Sequence, residues 1–136
     1  MAEQFKRSEI GFTGVSFPFR LDPTGKVTTS TVNLSTGNMQ HIVEAIVQII
    51  RTIRGERFFR RSFGAEPVHV VFRPNTETEM MWMASELQDI LGEYEPRVSL
   101  IEATIVEQDP EEGYVKMRLG FKHLATQITE YIEVTV

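Results

Sequence analysis

Glu95-Pro96-Arg97 puts an acid and a guanidinium two residues apart around a proline. Pro96 restricts Glu95 to an extended conformation, so the two charged side chains project to the same side of the backbone. Such a pair is either an intramolecular ion pair at a corner or a bipolar contact point with demanding geometry. Residues Arg51 to Arg61 hold five arginines, one glutamate and the neighbours Phe58 and Phe59. Among them Arg54, Arg57, Arg60 and Arg61 form a candidate partner-facing basic patch. Interleaved cations and rings can grip phosphates and stack bases. Alternatively Phe58 and Phe59, or one of them with Phe63, anchor a turn while the arginines pair with acids. One basic cluster on a net acidic chain is a weak nucleic-acid footprint, which favours the second reading.

Catalysis has thinner support. Glycoside hydrolysis needs two carboxylates roughly 5 to 9.5 Å apart, and Glu86 with Asp89 fall on one face of a predicted helix. Acids at that spacing are ordinarily a solvated helix face, and nothing in the sequence marks either as a desolvated general acid. His41, His69 and His123 lack the spacing of a metal site. There is no Walker A loop, GxGxxG or GxSxG, and no cysteine. Disulfides, thiolate zinc sites, iron-sulfur clusters and cysteine nucleophiles are thereby excluded, and no catalytic residue, metal or cofactor is expected.

The elements that must position these residues follow from pattern. The chain has 136 residues, 41% apolar and 24% charged, with a net charge of −5. That is the size and composition of one globular domain with a real core. The N-terminal MAEQFKRSEIGF lacks the apolar stretch of a secretory signal, so a cytosolic synthesis site is expected, and no run is long and apolar enough for a membrane. Charge is segregated: residues 51 to 61 sum to +4, whereas Glu66 to Glu112 holds twelve acids against Arg73 and Arg97. Residues 1 to 25 read as an extended N-terminal arm with turn chemistry at Asp22-Pro23-Thr24-Gly25, and residues 26 to 136 as one domain. A strand is predicted at Val27 to Leu34. Asn38 is the expected N-cap of a first helix, with Met39, Ile42, Ile46, Ile49 and Ile53 in one apolar row and Gly55 as its stop. Val68 to Phe72 could form a short strand. Thr76 and Glu79 have capping-box spacing for a second helix from about Glu77 to Leu91, ended by Gly92. Alternation then predicts strands at Val98 to Glu107, Tyr114 to His123 and Thr129 to Val136. The expected architecture is α+β: two helices packed on a mainly antiparallel sheet of three or four strands. A strand running to Val136 leaves an edge that can pair with another chain.

Three segments, RGERFFRRSFG (54–64), FRPNTET (72–78) and YEPRV (94–98), occur in order around the two predicted helices. This ordered set resembles the baseplate wedge family of contractile tails. That family includes a phage baseplate wedge protein once labelled lysozyme-like and counterparts in type VI secretion and extracellular contractile injection systems. FPFRLDPTGKV (17–27) is similar to the family's phage-type N-terminus, and Arg61 departs from its pattern, which has proline there. The resemblance implies a structural, non-enzymatic subunit. It implies docking of Glu95, Pro96 and Arg97 on a helical core bundle of larger wedge proteins. It also implies templating of the first sheath ring by strand pairing, which this sequence would carry on Tyr131, Ile132, Glu133, Val134, Thr135 and Val136. The expected partners are those wedge proteins, sheath subunits and the central hub or spike proteins, without nucleic acid or membrane. The subunit is expected to be monomeric alone and present in six copies per baseplate. The competing reading is a peptidoglycan-cleaving tail lysozyme using a carboxylate pair.

Overall fold

A computed structural model describes residues 11–33, 37–66 and 71–136. The chain divides into two compact units after Ala45. In the first, β1 (Phe12–Val15) and β2 (Thr29–Val32) form an antiparallel two-stranded sheet, Phe12 opposite Val32 and Val15 opposite Thr29. The strand anticipated at Val27 to Leu34 is therefore shorter, and its partner is the segment read as an arm. The Asp22 turn sits in their connection: Asp22 Oδ1 accepts hydrogen bonds from the Thr24 and Lys26 N–H groups at 2.8 and 2.9 Å. Leu34 and most of the predicted Val68 to Phe72 strand lie outside the described residues. Val71 there is buried and Phe72 exposed.

Helix α1 (Gln40–Arg51) starts two residues after Asn38, whose Oδ1 accepts from Gln40 N–H at 3.0 Å. Its early turns belong to the first unit, where Glu44 Oε2 accepts from Phe17 N–H at 3.0 Å and from Ser30 Oγ at 2.5 Å. Burial alone would push the Glu44 carboxyl up, but hydrogen bonds from Ser30, Phe17 and Gln40 outweigh it and hold it below the usual range. The helix ends at Arg51, four residues before Gly55, so Ile53 leaves the apolar row and is exposed. The cause is a backbone clasp. Ala65 N–H donates to Thr52 O at 3.0 Å and Arg54 N–H to Ala65 O at 3.3 Å, which draws the chain out of the helix.

Helix α2 (Glu77–Tyr94) begins at Thr76, whose side chain accepts from Glu79 N–H at 3.3 Å. The Glu79 carboxylate turns to Arg73 at 3.0 Å instead of completing a reciprocal box. Met83, Leu87, Ile90 and Leu91 are buried, as the helical period required. Gly92 does not end the helix. The next turn is held by Tyr94, whose ring stacks edge-on against Phe63 at 4.9 Å and whose hydroxyl bonds Ser62 Oγ at 3.1 Å. Those contacts outweigh the roughly 1 kcal/mol that glycine costs inside a helix.

Three strands close the second unit: β3 (Val98–Asp109), β4 (Tyr114–His123) and β5 (Thr129–Thr135), antiparallel in that order. Helix α2 packs on β3. Val115, Met117, Leu119 and Phe121 of β4 are buried with Val98, Leu100 and Ala103 of β3 and Val134 of β5. On the other face Gly120 is covered by the Tyr131 ring: an added Cβ would stand 2.7 Å from it. The α+β class is as the sequence indicated; the described residues hold two long helices, and their strands divide into antiparallel sheets of two and three.

Candidate assembly surface

Glu95 caps the C-terminus of α2, its N–H donating to Leu91 O at 2.8 Å, and Pro96 turns the chain into β3. Glu95 is not extended, as the proline alone suggested: its φ of −135° and ψ of 69° close the helix end, Val98 N–H donates back to Glu95 O at 3.3 Å, and this turn brings the carboxylate and the Arg97 guanidinium together. Arg97 Nε donates to Glu95 Oε1 and Nη2 to Oε2, a bidentate pair. Burial is unequal: the Glu95 side chain is 5% exposed and that of Arg97 34%. The corner thus presents Pro96 and part of a guanidinium to solvent, with Glu95 beneath them as the group that fixes the guanidinium plane. His123, opposite Val98 in the ladder, is buried behind this pair. Burial and the charge of Arg97 push its imidazole below the ordinary histidine range, and Glu95 only partly offsets them. Thr126 N–H donates to His123 Nδ1 at 3.2 Å, which assigns the proton of the neutral ring to Nε2. Pro96 also lines a shallow groove of about 330 Å³ with Gln88, Gly92, Val98, Leu100 and Leu124.

The basic segment is a closed loop. Besides the Thr52–Ala65 clasp, Gly55 N–H donates to Arg61 O at 2.8 Å, and Phe63 is held by Tyr94. Arg57 lies over the Phe63 ring at 4.0 Å, and Arg54 approaches Glu86 at 3.9 Å. Phe63 and these two arginines match the anchored-turn reading. Phe58 and Phe59 do not: they are 83% and 95% exposed, touching each other edge-on at 5.4 Å. The reason is steric closure of the loop below them, which leaves its tip no interior to enter.

At the sheet edge, β4 and β5 pair in register without a break from Lys116 opposite Thr135 to Lys122 opposite Thr129. Val115 and Val136 exchange backbone bonds at 3.0 and 2.9 Å, and His123 N–H donates to Ile128 O at 2.8 Å. By alternation, the even-numbered residues bond β4, while Thr129, Tyr131, Glu133 and Thr135 aim their N–H and C=O groups outward. Of the six residues singled out in the sequence, Ile132, Val134 and Val136 therefore hold the strand in its own sheet. Arg51 Nε donates to Thr135 O at 3.2 Å, and Glu133 pairs with Lys116 at 3.0 Å through its side chain. Among the described residues no strand occupies this edge. The opposite edge differs: β3 carries irregularities at Ile101 and Val106, each passed over in the register and each exposed. Such bulges twist an edge away from further pairing, a contrast that residue patterning alone did not reveal.

Glu86 and Asp89 line a shallow groove with Arg54, Trp82, Ser85 and Ile90, far from an enclosed cleft. His41 and His123 lie in separate units, and His69 is outside the described residues.

The family model described as baseplate wedge protein gp25 matches residues 37–128. No curated protein matches the chain. Among solved structures, a candidate tail lysozyme from Geobacter sulfurreducens is 27% identical, with a TM-score of 0.57 over 71% of this chain and 86% of that one. A chain of the anti-feeding prophage baseplate is 15% identical with a TM-score of 0.60, covering 92% of this chain and 84% of that one. A chain of the type VI secretion system baseplate complex is 12% identical with a TM-score of 0.51, covering 71% and 89%. At those lower identities the likeness is one of fold, and the family match carries the assignment. With that match spanning both helices, the Glu95-Pro96-Arg97 corner and most of the three-stranded sheet, this chain belongs to the baseplate wedge family of contractile tails and injection systems.

Proposed function

We propose that this structural baseplate subunit joins two assemblies through two separate surfaces. The Glu95-Pro96-Arg97 corner docks on a helical core bundle formed by larger wedge proteins. The outward groups of Tyr131, Glu133 and their neighbours on β5 template the first sheath ring by adding a strand from a sheath subunit. Family membership is the observation that carries the reading. The geometry supports it in two ways. A guanidinium held bidentately by a buried acid is preorganised, so a partner acceptor would not have to immobilise it. An edge with unbroken register offers evenly alternating donors and acceptors for β-augmentation, with exposed Tyr131 as a side-chain contact. The symmetry and copy number, six per baseplate with a monomer in isolation, would be imposed by the partners, and assembly would take place in the bacterial cytoplasm.

The docking arm is tested by co-expression with the neighbouring wedge proteins. Wild-type chain should co-purify, and a Glu95→Ala/Arg97→Ala variant with native circular dichroism should be lost at least about tenfold, the loss of a central contact. Retention of the folded variant would remove the docking role. For the edge, Glu133→Pro deletes an outward N–H without touching a β4 bond, which an edge strand tolerates. It should leave baseplates intact and abolish sheath growth, whereas sheaths of normal length would eliminate strand pairing at β5. Truncation of residues 131–136 is a poorer test, because it removes buried Val134 and the Val115 ladder bonds.

A further inference from the structure

The tip of the 52–65 loop has no role in either surface above. Phe58 and Phe59 stand 83% and 95% exposed on a segment whose backbone is closed by three hydrogen bonds and whose base is fixed by the Phe63–Tyr94 contact. Closed loops of this length are compact and preorganised. The two rings meet edge-on at 5.4 Å and form one apolar knob. Arg57 and Arg54 are turned down toward Phe63 and Glu86, while no described carboxylate pairs with Arg60 or Arg61. The one acid of the loop, Glu56, is engaged by backbone, its carboxylate accepting from Ile53 N–H at 3.1 Å. An exposed aromatic pair flanked by uncompensated guanidinium groups has the composition of an interface anchor, enriched in aromatics and arginine.

We infer that this tip is a third docking surface, whose occupant is a protein of the same particle presenting an apolar pocket rimmed by carboxylates. The inference rests on the baseplate reading for the identity of the particle. Two aromatic side chains bury roughly 150–250 Å² each. That is too little for a stable complex of its own and the right size for an anchor within a larger contact of about 800 Å² per partner. Charge selects the occupant. The tip is positive, and a carboxylate rim would satisfy Arg60 and Arg61 while the pocket takes the rings. A nucleic acid fits less well, because the two rings meet edge-on at 77° and offer no pair of parallel faces for successive bases, and two guanidinium groups are a small phosphate footprint. A lipid surface fits less well for the second reason, since recognition of anionic headgroups draws on clusters of about four to eight cations.

The test uses the assembled particle. A photo-reactive phenylalanine analogue replaces Phe59, particles are purified and irradiated, and adducts are identified by mass spectrometry. The expected adduct joins position 59 to another baseplate protein at a peptide bearing aspartate or glutamate. In competition with wild type, Phe58→Ser/Phe59→Ser and Arg60→Glu/Arg61→Glu should each lower incorporation at least about tenfold with unchanged melting temperature, since both pairs lie on the surface. Chain present in the particle with no adduct, or an adduct to nucleic acid or lipid, overturns the tip proposal alone. Wild-type chain absent from the particle overturns it together with the baseplate reading. A loss confined to the arginine variant and abolished by salt overturns the pocket.

Discussion

Removing the Arg97 guanidinium strands a carboxylate that is 3% exposed as a residue, so the Glu95–Arg97 pair governs stability as well as any contact it makes. Breaking a buried pair costs about 3–5 kcal/mol, and the partial exposure of Arg97 discounts this to roughly 2–4 kcal/mol for Arg97→Ala. Glu95→Gln/Arg97→Gln should lose less than the sum of its single variants in chemical denaturation, the coupling expected of two groups in direct contact. Charge reversal at Arg97 therefore confounds folding with docking, and the double variant separates them. Behind the pair, His123 has a folded value below its ordinary 6.5. The unfolded chain then takes up its proton first as pH falls, so this contribution to stability is complete above 6.5 and is lost as pH drops toward the folded value. Melting temperature should decline more steeply between pH 7 and pH 5 in wild type than in His123→Gln, and equal slopes would place the titration elsewhere.

The loop that follows α1 depends on one backbone position. Gly64 has φ of +110°, and an added Cβ would stand 2.2 Å from Thr52 O, the acceptor of the clasp. Gly55 shares a positive φ, +91°, but has open space around it. Gly64→Ala should therefore destabilise clearly more than Gly55→Ala, whose cost is the backbone strain of about 1–2 kcal/mol alone. Urea unfolding of the two variants measures the difference, and equal losses would mean that the clasp contributes nothing. The clasp also explains why the first helix stops at Arg51 while the second outruns Gly92: at both ends a tertiary contact decides against the local signal. In the three-stranded sheet the two edges diverge for a similar reason. Bulges at Ile101 and Val106 spoil β3 as a template, whereas β5 keeps its ladder regular to the last residues.

At the scale of the whole molecule, the contacts proposed above fall on a corner, a loop tip and a strand edge, an arrangement suited to joining several partners. Membership of the baseplate wedge family fits a non-enzymatic role. The groove with Glu86 and Asp89 is shallow, and Arg54 stands in it 3.9 Å from Glu86. A glycosidase needs its two carboxylates on either side of a bound sugar and one of them held protonated. Purified protein should release no reducing ends from peptidoglycan, and Glu86→Gln/Asp89→Asn should incorporate into baseplates as wild type does. Hydrolysis abolished by that substitution would revive the lysozyme reading suggested by the Geobacter sulfurreducens structure.

Period and punctuation in the sequence determined the α+β class, the second helix from Thr76, and the β4 strand from Tyr114 to His123, because side-chain alternation and capping are local properties. They also placed Glu95 and Arg97 within reach of each other, with one residue between them, but the extended geometry expected before Pro96 gave way to a turn at the helix end. What only the tertiary structure decided depends on contacts far apart in sequence. Pairing of β1 with β2 removed the first strand from the main sheet, and the Thr52–Ala65 clasp ended α1 and pushed Phe58 and Phe59 into solvent. Ladder register, which no single strand encodes, determined which β5 residues face outward and, among the described residues, which edge keeps an unbroken ladder. Burial of Glu95 was equally invisible in the triplet itself, because exposure is a property of what packs around a residue and not of its type.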